Sequence, residues 1–195
     1  FRQFKLFEVS RYANLFEKNR KIKGESTTSY MYYDSFISNI KANFEYSPKF
    51  IFVLRNPVDR YISHVNWLKG LGLEKKDVNQ VINEDDWANF SEYDDYPKQY
   101  YQFGLYNKWI TRFIKNFGKK NIKIITFEQL ISDRLKTLNS CYEFLGVEKV
   151  DNLKFIRSNK SKKIVFPFIY HFLRKSSVGK TKCTKIVKYV LPKKI

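Results

Sequence analysis

An arginine that closes an apolar run, with a serine eight residues further on, is the pair in this sequence best suited to hold an anion. Phe50 to Arg55 reads FIFVLR, a buried strand with a charge as its last residue. Asn56 and Pro57 follow, and then Val58, Tyr61, Ile62, Val65 and Leu68 recur at spacings of three and four. Ligands of open α/β sheets bind beyond the carboxyl ends of the strands, where a helix N-terminus offers amide hydrogens and the positive end of a dipole. Arg55 supplies a planar fork of donors there, and Ser63, about two helical turns on, a hydroxyl for the same crevice. Together they would clamp a phosphate. The competing reading is structural, with Arg55 paired to Asp59 and Ser63 merely a small helix residue.

Other candidates carry less. Glu25, in a Ser/Thr-rich loop, orients substrate or a basic group on one reading and pairs with a nearby lysine on the other. His64 neighbours Ser63 but points about 100° away along a helix, which favours packing or solvent. Tyr106 and Trp109 recur at helical spacing and are read as core.

The elements that position these residues follow from hydrophobic periodicity. Residues 1–20 are helix or loop. Lys21 to Tyr30 reads as a short edge strand turning at Gly24, and Asp34 opens a helix with Phe36, Ile37 and Ile40 on its apolar face that ends before Pro48. The run Phe50 to Leu54 suits a strand buried on both faces of a parallel sheet. Asn56 caps the next helix, and Pro57 fits its first turn. An acidic connection over 72–97 includes a short helix near Val81. A helix over Gln99–Phe117 buries Tyr106, Trp109, Ile110, Phe113 and Phe117. A strand Ile122–Phe127 precedes a helix carrying Ile131, Leu135, Leu138, Tyr142 and Leu145 that Gly146 terminates. This succession predicts an α/β fold.

Charge is unevenly spread. The net charge is +18, yet 72–97 holds eight acids against two lysines, whereas 151–195 holds thirteen Lys or Arg against one acid. An acidic partner follows, whether nucleic acid, membrane surface, polyanionic substrate or phosphorylated cofactor. Cys141 and Cys183 form no metal-ligand spacing, and no metal is expected; so few cysteines favour a reducing compartment. No run approaches the roughly 20 apolar residues of a membrane span.

LRNPVDRYISH resembles the 3′-phosphate-binding segment of the sulfotransferase superfamily, whose cofactor is 3′-phosphoadenosine 5′-phosphosulfate (PAPS). GESTTSYMYY resembles the GE-S-P-x-Y segment of that family, and GLYNKWITRFIKNFGKKNIKIITFEQL followed by FLG resembles its later helix, strand and helix. The likeness covers about residues 22–147. It implies a three-layer α/β/α fold related to the P-loop NTPases, with Arg55 and Ser63 on the 3′-phosphate of PAPS or of its product, adenosine 3′,5′-bisphosphate. RSNKSKKIVFP resembles the basic K-S-K-G-R loop of polysaccharide sulfotransferases, which implies Lys160, Ser161 and Lys162 as phosphate contacts, although Lys163 and Ile164 stand where glycine and arginine are expected. Glu25 is carried as the candidate substrate contact from its place in the loop, with the lysine pairing still its alternative.

The family's upstream K-x-G-T-T/S loop, which grips the 5′-phosphosulfate, does not occur in the 195 residues, and the first residue is Phe1. The expectation is of a chain starting downstream of that loop and of the glutamate base, so that the catalytic residues lie ahead of Phe1. Residues 1–165 would form the sulfotransferase domain and 166–195 a basic amphipathic extension. That extension suits a helix on the domain, on an anionic membrane surface, or drawing in an anionic acceptor. The expected acceptor is a carbohydrate-type hydroxyl, and nucleic acid is not an expected partner. The expected location is cytoplasmic with membrane contact, or the Golgi lumen if the source is eukaryotic and an anchor precedes the chain. The rival reading is a non-catalytic basic module for nucleic acid or anionic membrane.

Overall fold

Helix α1 (Asp34–Asn43) leads into strand β1 (Phe50–Leu54), and β1 into helix α2 (Pro57–Gly70). Then come the short helix α3 (Val78–Val81), helix α4 (Tyr106–Phe117), strand β2 (Ile122–Thr126), and helices α5 (Phe127–Ser132) and α6 (Arg134–Leu145). These come from a computed structural model that describes residues 14, 16, 19, 22–82, 90–92, 94 and 96–152. The strands run parallel, in register from Phe50 opposite Ile122 to Leu54 opposite Thr126. Parallel neighbours need a crossover, which the stretch from α2 to α4 provides.

Contacts divide the chain into two units, residues 1–60 with 85–154 and residues 61–84 with 155–195. In the first, strand alternation sends Phe50 and Phe52 to one face. There they and Ile122 meet Phe36, Ile37 and Ile40 of α1 and Phe113 and Phe117 of α4. Phe113 presents edge-to-face geometry to Phe52 at 5.0 Å and to Phe50 at 5.2 Å. Burying such a ring contributes roughly 2–3 kcal/mol, and each well-placed aromatic neighbour about 0.5–1.5 kcal/mol more. Tyr32, Phe103 and Trp109 form a second cluster. Ile125, which alternation points away from the aromatic cluster, is also buried, and α6 lies against β2. Helices flanking a parallel pair of strands make this an α/β fold.

In the second unit Tyr61, Val65, Leu68, Leu71 and Val81 are buried. The Tyr61 hydroxyl donates to the Val78 carbonyl at 2.9 Å, and Lys69 pairs with Asp77 at the start of α3.

Several expected elements differ. Residues 22–27 form no strand; they are mostly exposed, and Thr27 Oγ1 donates to Glu25 Oε1 at 3.3 Å, a local bond that competes with ladder pairing. β1 is not buried on both faces, since Val53 is 53% exposed. Among the described residues each strand has a single hydrogen-bonded neighbour. On α2, Val58 and Ile62 are exposed. At about 100° per residue Tyr61, Val65 and Leu68 fall within an arc of roughly 60°, and Val58 and Ile62 lie to one side of it. The helix expected from Gln99 begins at Tyr106, after a 3₁₀ turn over Gln102–Gly104 in which the Gln102 carbonyl takes the Trp109 indole N–H at 2.8 Å. The last expected helix is two, because Asp133 stops α5 and its side chain caps α6 by accepting from Lys136 N at 3.2 Å. Gly146 ends α6 in the left-handed region at φ 79°, where a glycine carries no Cβ penalty.

Candidate functional site

Four element ends converge around Arg55 within the first unit: the carboxyl ends of β1 and β2 and the N-termini of α2 and α5. The α2 start is set by Asn56, whose Oδ1 accepts from Val58 N at 2.9 Å and Asp59 N at 3.3 Å. The α5 start is a capping box, with Thr126 Oγ1 accepting from Gln129 N at 3.1 Å and Gln129 Oε1 from Thr126 N at 2.9 Å. This box places Phe127 and Glu128 in the first turn of α5, beside the end of β1.

Arg55 is half-buried, and its guanidinium carbon lies 5.5 Å from the centroid of the Phe127 ring. Among the described residues it makes no ion pair, so the structural alternative of pairing with Asp59 falls. Its carbonyl accepts the Tyr106 hydroxyl at 2.9 Å, and the next amide, Asn56 N–H, donates to Glu128 Oε1 at 3.0 Å. Burial pushes the Tyr106 phenol up from its ordinary pKa, and the Asn56 N–H holds the Glu128 carboxyl below the usual carboxylate range. Arg60, in the first turn of α2, donates to the Tyr100 carbonyl.

These bonds correct the simple picture of a helix N-terminus open to an anion. Asn56 N–H is taken by Glu128, Pro57 has no amide hydrogen, and Val58 and Asp59 are taken by the Asn56 side chain. The α2 terminus is capped from within. The donor fork left at this strand end is therefore the Arg55 side chain, and the dipole adds only its field.

The other sequence candidates are distributed differently. Ser63 is exposed in the second turn of α2 and belongs to the second unit. Glu25 is exposed, its carboxylate accepts from Thr27, and after burial its hydrogen bond is the next cause raising the pKa of Tyr30; no described bond joins it to Arg55. The His64 ring lies 6.0 Å from Trp67, in keeping with packing. Lys160, Ser161 and Lys162, the tail 166–195 and residues 1–13 lie outside the described residues. Among the described residues no His, Cys, Asp and Glu group could hold a metal ion, and no helix is long and apolar enough to cross a membrane.

Sequence reasoning missed Phe127 and Glu128 and left Tyr106 as core. A signal existed, since T-F-E-Q is a capping-box pattern directly after a strand and puts its second and third residues at a strand end.

The sulfotransferase domain profile matches residues 3–185. A solved sulfotransferase from Alicyclobacillus acidocaldarius superposes with a TM-score of 0.66 at 24% identity, over 80% of this chain and 63% of that one. At that identity the likeness shows the fold alone. No curated protein matches the chain. With the profile spanning nearly all of its length, and its fold shared with a solved sulfotransferase, the chain belongs to the sulfotransferase family.

Proposed function

We propose that this protein transfers a sulfuryl group from PAPS to a hydroxyl of a carbohydrate-type acceptor, and that Arg55 anchors the cofactor through its 3′-phosphate. One observation carries this reading: a guanidinium without an ion pair among the described residues stands at the carboxyl end of a parallel strand, beside a helix terminus whose amides are already satisfied. A planar fork fits a phosphate better than a point charge does. The cofactor, when bound, supplies the sulfuryl donor; what this chain contributes here is binding and orientation. Ser63 adds its hydroxyl by family resemblance, as do Lys160, Ser161 and Lys162, while Glu25 is assigned to the acceptor side. The net charge of +18 favours an anionic acceptor.

Calorimetric titration with adenosine 3′,5′-bisphosphate tests the anchor. Removing one partner of a charged, hydrogen-bonded pair costs about 2–5 kcal/mol, so Arg55→Ala should weaken binding by roughly 30-fold or more. An unchanged affinity in a folded variant refutes the assignment. The second reading, a basic binding module, is favoured by the +12 net charge of 151–195. It requires instead an affinity for polyanions that falls steeply with salt and is indifferent to Arg55.

A further inference from the structure

We infer that Tyr106 and Glu128 are positioning residues, which grip the single peptide unit between Arg55 and Asn56 from its two ends and so hold the Arg55 guanidinium over Phe127. The inference rests on the reading of Arg55 as the phosphate anchor only for its functional meaning; the clamp itself is geometry. The carbonyl of Arg55 and the N–H of Asn56 are opposite edges of one planar group. Tyr106 Oη donates to the first at 2.9 Å and Glu128 Oε1 accepts from the second at 3.0 Å. The two partners arrive from separate elements, α4 and α5, so the plane cannot rotate without breaking one bond or the other. Its orientation sets ψ of Arg55 and φ of Asn56, the torsions that flank the anchor.

Neither bond is demanded by burial. Asn56 is exposed and Arg55 only half-buried, so water could satisfy both backbone groups. A carboxylate next to an anion-binding arginine also opposes the ligand's charge. Its presence is explained if what it supplies is the fixed plane. Both partners are in the required form near neutrality at their ordinary pKa values, and burial raising the phenol's and the Asn56 amide lowering the carboxyl's only widen that range.

The full chain, isotope-labelled, tests this by NMR, since a guanidinium over a ring shows an upfield ring-current shift at its Nε–H. Tyr106→Phe and Glu128→Ala should each reduce that shift, whereas Glu128→Gln, which keeps an acceptor oxygen, should retain it. In the same variants affinity for adenosine 3′,5′-bisphosphate should fall about five- to tenfold for Tyr106→Phe, and less for Glu128→Ala, where loss of the opposing charge offsets part of the effect. Glu128→Gln should match or exceed wild type, having lost the opposing charge. In an Arg55→Lys background, which lacks the planar fork, the Tyr106→Phe loss should shrink below twofold; a merely structural tyrosine would give the same loss in both backgrounds. Retention of the Arg55 shift in both Tyr106→Phe and Glu128→Ala overturns the clamp. Loss of the shift together with a nucleotide affinity indifferent to Arg55→Ala leaves the clamp standing and overturns the phosphate reading instead.

Discussion

Asn56→Ala separates the two ways in which the start of α2 could meet an anion. The side chain removed accepts from two amides, Val58 N and Asp59 N. Replacing an Asn cap by Ala costs about 0.5–2 kcal/mol, typically near 1. Because Asn56, Val58 and Asp59 are all exposed, water can take over both amides, and the lower half of that range applies, about 0.5–1 kcal/mol. For a chain of this size that corresponds to a melting temperature lower by roughly 1–4 °C. Two donors are meanwhile freed within reach of the strand end. If Arg55 carries the phosphate, affinity for adenosine 3′,5′-bisphosphate should change by less than about twofold. If the terminal amides are the true ligands and the Asn56 side chain competes with the phosphate for them, removing a competitor worth about 1 kcal/mol should raise affinity roughly fivefold. Scanning calorimetry and isothermal titration read the two quantities on the same samples. A several-fold gain in affinity would refute the claim that the arginine side chain alone meets the ligand, since it would show the freed amides of α2 binding it. A stability loss above about 3 kcal/mol would refute the cap energetics.

Two further outcomes are expected. Phe113→Ala, at a ring 1% exposed and in contact with Phe36, Phe50, Phe52 and Phe117, should cost about 3–5 kcal/mol by urea unfolding; a loss below 1 kcal/mol would show that the aromatic cluster is not the core of the first unit. In alkaline titration, phenolate absorbance of Tyr30 should appear only near pH 12, since burial and then the Glu25 hydrogen bond raise its pKa from 10.0, and Tyr32 should ionise later still through burial. The folded chain holds these protons while the unfolded chain releases them, so stability is intact below pH 10 and declines as pH rises through 12; a urea midpoint that stays flat over this window would contradict the burial of both rings.

The strand, the helix after it and the arginine between them were legible because each rests on local chemistry: an unbroken apolar run, an Asn-Pro start, a 3.6-residue period. Strand burial was not, because the exposure of Val53 depends on what packs over that face of the sheet, which no window of β1 contains. The division between α5 and α6 turns on Asp133, a residue that reads as an ordinary polar position until its side chain is seen to cap the second helix. Glu128 and Tyr106 stand 72 and 51 residues from their partners, Asn56 and Arg55, at the junction after β1. Residue types mark both as unremarkable, a surface acid and a core aromatic; only the crossover that brings β2 and α4 to the end of β1 gives them a common target.

That same crossover has a consequence during synthesis. β1 pairs with residues 72 positions later, Phe50 with Ile122. A ribosome adding about 5–20 residues per second leaves FIFVL without its ladder partner for roughly 4–14 s. Such a segment, rich in β-forming side chains and free of charge and proline, is the kind that seeds intermolecular pairing. Its flanks answer the hazard: Pro48 and Lys49 precede it, and Arg55 and Pro57 follow it within three residues. Charges and prolines at the ends of an apolar strand act as gatekeepers against aggregation. The arginine after the strand thus guards the nascent chain before its ladder partner has been made.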